Sequence, residues 1–211
     1  MKTDDLITMI ANQAGPAPKV SVMSRLVPAA VAGGLIAAAI VLGILGLIPS
    51  EMFSESGPWI KIGYASALAI SAGWLFARLG RPGASGKQAT SAVVGVVSIM
   101  LMAGILSYLG TPVSERASAL LGHSWLVCPW AILALSLPVM AGSFWAMRGF
   151  APTKLVYSGA ACGLFSGAVA ALVYALACTE PAAPFIAVWY TLGIALCGVL
   201  GAVLGPKLLR W

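Results

Sequence analysis

The sequence predicts an all-α integral membrane protein, with six transmembrane helices in a compact bundle and both termini in the cytoplasm. Three observations lead to this prediction: charge is scarce, the chain contains six long uncharged runs, and basic residues are unevenly distributed. Of the 211 residues, 60% are hydrophobic and only 9% are charged, and the mean hydropathy is +0.98. Soluble domains carry roughly 25% charged residues. The composition therefore excludes a soluble enzyme, a disordered chain and a nucleic-acid-binding domain.

Charged residues divide the chain into six apolar runs. A helix needs roughly 20 apolar residues to cross a hydrocarbon core about 30 Å thick, and five of the runs are long enough alone. The second run is long enough if its helix starts near Pro58 and if Lys61 extends to the lipid headgroups. Backbone groups in lipid must be satisfied within their own segment, so each run is predicted to be a helix. The runs cover residues 26–50, 62–77, 88–114, 117–147, 155–179 and 181–206.

The positions of the basic residues predict the orientation. With six spans, ten of the twelve Lys and Arg residues fall on one side, and only Lys61 and Arg116 fall on the other. The positive-inside rule then places both termini in the cytoplasm. The net charge of +6 is thus a signal of topology, and no direct nucleic-acid partner is expected. The first apolar run is too long for a signal peptide and is expected to be retained as the first span.

The interiors of the runs are built from small residues and contain no Asp, Glu, Lys or Arg. This weighs against an ion-coupled transporter, but it leaves open a small facilitator for an apolar solute. Two ladders of glycines at every fourth position allow close helix approach, and they are formed by Gly159, Gly163 and Gly167 and by Gly201 and Gly205. We expect these ladders to pack within one bundle, with a homodimer interface as the alternative.

Enzymatic function is not expected from this sequence. It contains no dinucleotide-binding glycine motif, no phosphate-binding loop, no zinc-protease motif and no serine-hydrolase elbow. One histidine and few cytoplasmic acids leave few candidates for general acid–base catalysis. The function therefore needs no cofactor and is expected to depend on binding to another protein or to the lipid bilayer.

The segment 1–24 is predicted to be a cytoplasmic docking segment that precedes the transmembrane domain 25–211. Acidic residues in the first turn favour a short helix, and the apolar residues behind them share one face. A helix lying on the membrane is the alternative, but such helices favour Lys and Arg on their polar face. An acidic helix with an apolar stripe suits a groove on a protein. The candidate contact residues are Asp4, Asp5, Leu6, Ile7 and Ile10.

Two of the four cysteines are candidate sensors. In the six-span topology Cys128 and Cys178 lie at the same outer surface, in a compartment that permits disulfides in bacteria. His123 is near them in sequence and could complete a site for a soft cation, although no CxxC motif supports a metal site. The residues alone leave open a disulfide, a metal site or unpaired thiols. Cys162 and Cys197 lie in mid-span, where a free cysteine behaves as a small hydrophobe.

Three stretches resemble the NrsF-like family of bacterial membrane anti-sigma factors. They are the opening MKTDDLI, the stretch HSWLVCPWAILALSLPVMAGSFWAMRGFAPTK and the end ACTEPAAPFIAVWYTLGIALCGVLGAVLGPKLLRW. The resemblance runs nearly end to end and is sharpest in the first seven residues and from His123 onward. It implies a six-span protein of the bacterial inner membrane. Its N-terminal segment would hold a cognate extracytoplasmic-function (ECF) sigma factor away from RNA polymerase, and Asp4, Asp5 and Leu6 match the family's opening motif.

The resemblance also implies a role for the outer cysteines. Cys128, within HSWLVCPW, and Cys178, within ALACTEP, match the two family cysteines that take part in sensing stress such as heavy metals or oxidants. The family gives no role to Cys162 and Cys197. The expected function is therefore negative regulation of an ECF sigma factor until the outer cysteines detect a periplasmic stress. A small facilitator and a scaffold subunit of a larger membrane assembly are the alternatives.

Overall fold

The computed structural model describes residues 3–13, 21–81 and 83–210, and within these ranges the chain is helical with no strand. Within these ranges six helices are long and apolar enough to cross a membrane, which confirms the all-α class and agrees in number with the six predicted spans. These helices are α2 (Val22–Leu45), α3 (Ser56–Leu79), α4 (Lys87–Gly110), α6 (Cys128–Arg148), α7 (Leu155–Tyr174) and α8 (Ala183–Leu208). The two shorter helices are α1 (Thr3–Gln13) and α5 (Arg116–Leu121).

The fourth apolar run is divided, which its sequence did not predict. The short helix α5 ends at Gly122, whose φ of 54° lies in the left-handed region that favours glycine. A stretch of turn follows, and α6 begins at Cys128 with Pro129 in its first turn. Proline is well placed there because the first turn of a helix leaves its N–H groups unpaired in any case. The division sets Cys128 at the very start of a spanning helix.

Glycines bring α7 and α8 into backbone contact. A Cβ atom added at Gly163 would lie 2.0 Å from the carbonyl oxygen of Cys197, and one added at Gly159 would lie 2.2 Å from that of Gly201. Neither position can therefore hold a side chain. The two glycine ladders face each other, which confirms the expected packing within one bundle. Because they are covered by each other, these glycines do not offer a surface to a second copy of the chain.

The other helices are arranged around α7, which packs against α3, α6 and α8 and in part against α2. The helix α2 crosses α6 closely, since a Cβ atom at Gly33 would lie 2.6 Å from the Cα atom of Val139. The helix α6 continues through Pro138 without interruption. On the far side, α4 contacts the start of α8, where α8 contains a π-helical turn over Ile186–Tyr190. Such turns insert one extra residue and are frequent near functional sites.

The bundle has two ends of different chemistry. We call one the basic end: Arg25 of α2 lies over the ring of Phe150 at 5.8 Å, and Nε of Arg148 donates to the carbonyl of Leu208 at 2.5 Å. We call the opposite end, which holds Lys61, Cys128 and Cys178, the thiol end. The helices thus group their basic residues as the predicted topology requires. Which side of a membrane each end faces stays a prediction.

Candidate functional site

The first candidate element is α1, the N-terminal helix. Asp4 and Asp5 lie in its first turn, as the sequence predicted, and both are exposed. Ile7, one of the predicted contact residues, is 59% exposed, and the hydroxyl of Thr8 donates to the carbonyl of Asp4 at 2.8 Å. The side chains of Leu6 and Ile10 lie outside the described residues, as does the chain at 14–20. The helix thus presents an apolar residue beside two carboxylates.

The second candidate element is the thiol end, and its central residue was assigned wrongly from the sequence. Lys61 does not extend to lipid headgroups: it lies in the second turn of α3 and is 0% exposed. Its Nζ atom donates to the carbonyl oxygen of Cys178. This carbonyl is available because the chain has left α7 at that point, and the last carbonyls of a helix end lack partners within the helix. An ionisable residue therefore lies inside the bundle, contrary to the expectation that the spans contain none.

The structure places the two predicted sensor cysteines at the same end of the bundle. Cys128 and Cys178 are both buried and both free, and the carbonyl of Cys178 accepts the hydrogen bond of Lys61. The N–H of Cys128 donates to the carbonyl of Ser124 at 2.8 Å. Whether the two residues act as one sensing unit stays a prediction. The thiols lie beneath the surface and not on it.

A tyrosine completes the surroundings of the thiols. Tyr190 ends the π-helical turn of α8 and is fully buried. Among the residues that the structure describes, this hydroxyl has no hydrogen-bond partner. The ring packs on that of Tyr174, with 5.9 Å between centroids. Since buried hydroxyls nearly always have partners, this unpartnered donor is an unusual feature of the bundle.

Glu180 fastens the loop between α5 and α6 to the thiol end. Its carboxylate accepts a hydrogen bond from the N–H of His123 at 2.7 Å and lies 3.5 Å from the hydroxyl of Ser124. The loop passes so close that a Cβ atom at Gly122 would lie 2.6 Å from Cδ of Glu180. The side chain of Trp189 supports the same region, donating to the carbonyl of Leu120 at 2.9 Å. These contacts hold the loop before α6 against the segment that follows α7 and against α8.

The imidazole of His123 points away from the thiols. The side chain is 99% exposed, and its Nδ1 atom lies 3.7 Å from Oε1 of Glu180. Within residues 3–13, 21–81 and 83–210, no three His, Cys, Asp or Glu side chains form a group that could hold a metal ion. This arrangement gives no support to His123 as a third ligand beside Cys128 and Cys178. The pair of thiols remains able to form a disulfide or to react with a soft electrophile.

The remaining two cysteines have packing roles, as the sequence predicted. Cys162 and Cys197 are fully buried in α7 and α8, and the thiol of Cys197 donates to the hydroxyl of Ser136 at 3.3 Å. The residues that sequence reasoning missed are Lys61 and Tyr190. Lys61 carried a usable signal, because an ionisable residue at the edge of an apolar run is a functional candidate by default. Tyr190 carried none, since tyrosine is common near the ends of spans.

Comparison with known proteins agrees with the resemblance drawn from the sequence. The NrsF family, described as negative regulator of sigma F, matches residues 10–211. The anti-sigma-F factor NrsF of Caulobacter vibrioides is 39% identical over 214 residues, and the probable anti-sigma-F factor NrsF of Azospira oryzae is 39% identical over 215 residues. Both matches cover 100% of each chain. No solved structure matches this chain.

The family match covers the thiol end but only part of α1. The family match includes all residues of the thiol end but begins at residue 10, so Asp4, Asp5 and Ile7 are covered only by the two full-length relatives. The family has a regulatory and not a catalytic function. From this evidence, the chain belongs to the NrsF family of negative regulators of sigma F.

Proposed function

We propose that this protein is an anti-sigma factor of the bacterial inner membrane that binds an ECF sigma factor through its segment 1–24. The sigma factor is held until a periplasmic stress, an oxidant or a heavy metal, changes the state of Cys128 and Cys178. The observation that supports sequestration most directly is the surface of α1, where Ile7 is exposed beside Asp4 and Asp5.

The surface of α1 defines the partner it would fit. Burying an isoleucine side chain contributes roughly 1.5–3 kcal/mol, so a groove with an apolar floor would bind Ile7. The carboxylates of Asp4 and Asp5 would meet a basic rim, which mainly raises the rate of encounter and fixes the register. The expected partner surface on the sigma factor is therefore an apolar groove bordered by Lys or Arg.

The six apolar helices and the grouping of basic residues support insertion in the inner membrane with both termini in the cytoplasm. Reporter fusions placed after Ser24 and after Trp211 should both give cytoplasmic signals. A periplasmic signal from either fusion would contradict the six-span topology and would separate α1 from the compartment of the sigma factor.

Release of the sigma factor requires that the bundle have two arrangements, one in which α1 binds the sigma factor and one in which it does not. The state of the thiols must determine which arrangement is favoured. A change from 1:99 to 99:1 between such arrangements needs about 5.5 kcal/mol of differential free energy, and a disulfide typically contributes about 2–4 kcal/mol. Oxidation of the pair would thus supply a substantial part of the change. Binding of a soft metal ion by the thiols is the alternative source.

Binding by α1 is tested with two double variants, one that removes its two carboxylates and one that introduces charge at its apolar positions. We expect Asp4→Ala with Asp5→Ala to reduce capture of the sigma factor, and Leu6→Asp with Ile7→Asp to weaken it roughly 30-fold, because a buried anchor is worth about 2 kcal/mol. The matched control is Thr8→Asp, since residues two positions from Leu6 lie about 200° around the helix. The measurement is a pull-down at equal amounts of membrane-inserted protein.

The two outcomes of this pull-down are distinct. Loss of the sigma factor from the Leu6/Ile7 variant but not from Thr8→Asp would support docking through α1. Full retention by both double variants would move the interface to the loop that contains Arg81 and Lys87.

A further inference from the structure

The two sensor cysteines have unequal surroundings. Cys178 lies outside regular helix, after the last turn of α7, and is 3% exposed. Nζ of Lys61 donates to the carbonyl of Cys178, and the N–H of Cys178 donates to the carbonyl of Tyr174. Tyr190 packs on the ring of Tyr174, with its hydroxyl unpartnered among the described residues. Cys128 instead begins the regular helix α6 and is completely buried. The hydrogen bond of Lys61 is therefore made to the segment of Cys178 and not to that of Cys128.

This asymmetry matters because the reactive form of cysteine is the thiolate, and a thiol buried among apolar groups is inert. An ammonium group has three N–H donors, and the carbonyl of Cys178 occupies one of those of Lys61. A second donor is thus available to a negative sulfur, together with the hydroxyl of Tyr190. Hydrogen bonds to a charged acceptor are about twice as strong as neutral ones and gain further strength in a buried site.

We propose that Cys178 is the thiol that attacks a hydroperoxide, that Lys61 is the positioning residue that prepares it, and that Cys128 resolves the product to a disulfide. The proposal rests on the cysteine sensing proposed above and gives each residue of the thiol end a separate role. Lys61 does not react itself; it holds the segment of Cys178 in place and supplies the positive charge beside the sulfur.

The reaction occurs in two steps. With hydrogen peroxide as the hydroperoxide, the Cys178 sulfur, having lost its proton, attacks one peroxide oxygen; the O–O bond breaks, an S–O bond forms, and hydroxide leaves and takes up the proton as water. Sulfur is oxidised to a sulfenic acid and the peroxide is reduced. The Cys128 sulfur then attacks the sulfur of this sulfenic acid; an S–S bond forms, the S–O bond breaks, and the hydroxyl leaves with the Cys128 proton as a second water. Overall, two thiols and one peroxide give a disulfide and two waters.

The assignment is tested with purified full-length protein in lipid nanodiscs, in the absence of any sigma factor. Two single-thiol forms are compared, one that retains only Cys178 and one that retains only Cys128, with the other three cysteines replaced by serine. After exposure to hydrogen peroxide, each is unfolded in dimedone, which traps sulfenic acid, and its intact mass is measured. We expect the Cys178 form to be trapped roughly tenfold faster. Equal rates, or faster trapping of the Cys128 form, would overturn the assignment.

The role of Lys61 is tested in the Cys178-only form. We expect Lys61→Met to slow trapping roughly tenfold and Lys61→Arg to restore it to within about threefold, because the positive charge is the required feature. Arg116→Met is the matched control, since Arg116 binds the carbonyls of Leu109 and Thr111. Should Lys61→Met fail to fold, Tyr190→Phe removes a hydroxyl that bonds to no described residue and should slow trapping about threefold.

Unchanged trapping in both Lys61→Met and Tyr190→Phe, or equal slowing by Lys61→Met and Lys61→Arg, would refute the role of Lys61. These chemical results are independent of sequestration. If Cys178 is trapped first but its oxidation does not release a sigma factor, the proposed function fails while the assignment of the thiols stands.

Discussion

The interface between α7 and α8 and the thiol end are both buried, but they are built in opposite ways. At the interface, glycines let two backbones touch, and a single added carbon at Gly163 would lie 2.0 Å from a carbonyl oxygen. At the thiol end, long polar side chains fill the space, and they include the ammonium of Lys61 and the hydroxyl of Tyr190. The first region depends on close packing, and the second depends on hydrogen bonds and charge.

Because of this difference, the interface contributes to stability, whereas the thiol end can respond to a chemical signal. A backbone contact has no group that can be oxidised, protonated or bound, so it can only be kept or lost. A buried charge is costly to hold, yet a charged group and a thiol can each change chemical state while every heavy atom of the core is kept. The glycine interface thus stabilises the bundle, and the thiol end contains the groups whose chemical state can change.

The largest expected effect is loss of stability when the interface between α7 and α8 is disrupted. Gly163→Ala should destabilise the protein by about 3 kcal/mol or more, because the new methyl group overlaps the backbone of α8. Gly95→Ala is the matched control: the same atom added there, on α4, meets nothing within 4 Å. The measurement is the thermal transition of both variants in the same detergent. Equal transition temperatures would show that α7 and α8 are not packed as described.

The next largest effect is loss of the response to stress in a protein that still folds. Cys128→Ser or Cys178→Ser should abolish induction of the sigma factor's target genes by the stress, while basal repression is kept. Cys162→Ser and Cys197→Ser should be nearly silent, because both thiols only pack between helices. The measurement is a transcriptional reporter at equal protein level. Normal induction in the Cys128/Cys178 double variant would show that these thiols also only pack.

A smaller, local effect is expected at the cover of the thiol end. Glu180→Ala should loosen the loop before α6 by about 1–3 kcal/mol, because the N–H of His123 loses its acceptor. Glu180→Gln keeps an acceptor and should cost less, and Glu55→Ala, at an exposed acid near the start of α3, should have no effect. Hydrogen exchange at His123 and Ser124 measures the loosening. Protection that is unchanged in Glu180→Ala would show that the carboxylate does not hold the loop.

Much of the fold could be predicted from the sequence because lipid imposes a simple rule. Long uncharged runs must be helical, so six spans followed from the positions of charged residues. The break at Gly122 was missed because α5 and the loop after it contain no charge beyond Arg116, and a run without charge gives no boundary. The glycine ladders were read correctly because their spacing is local to one helix.

The candidate site was harder because its contacts join distant parts of the chain. Lys61 and Cys178 are separated by 117 positions, and no local pattern shows whether a lysine near a helix start will reach lipid headgroups or a carbonyl inside the bundle. The choice depends on where α7 ends relative to α3, which is a property of packing. The pairing of Cys128 with Cys178 was accessible, since each flanks a helix end on the same side of the predicted topology.

The burial of all four native thiols has a practical consequence for spectroscopy. A bulky maleimide dye or spin label cannot enter the packed core, so a cysteine introduced at an exposed serine can be labelled in the natural background. Ser91, in the second turn of α4, and Ser114, just after its end, are exposed, and each could carry a probe without replacement of a native cysteine. All four native thiols would then be kept while the distance between such probes reports movement of the bundle in real time.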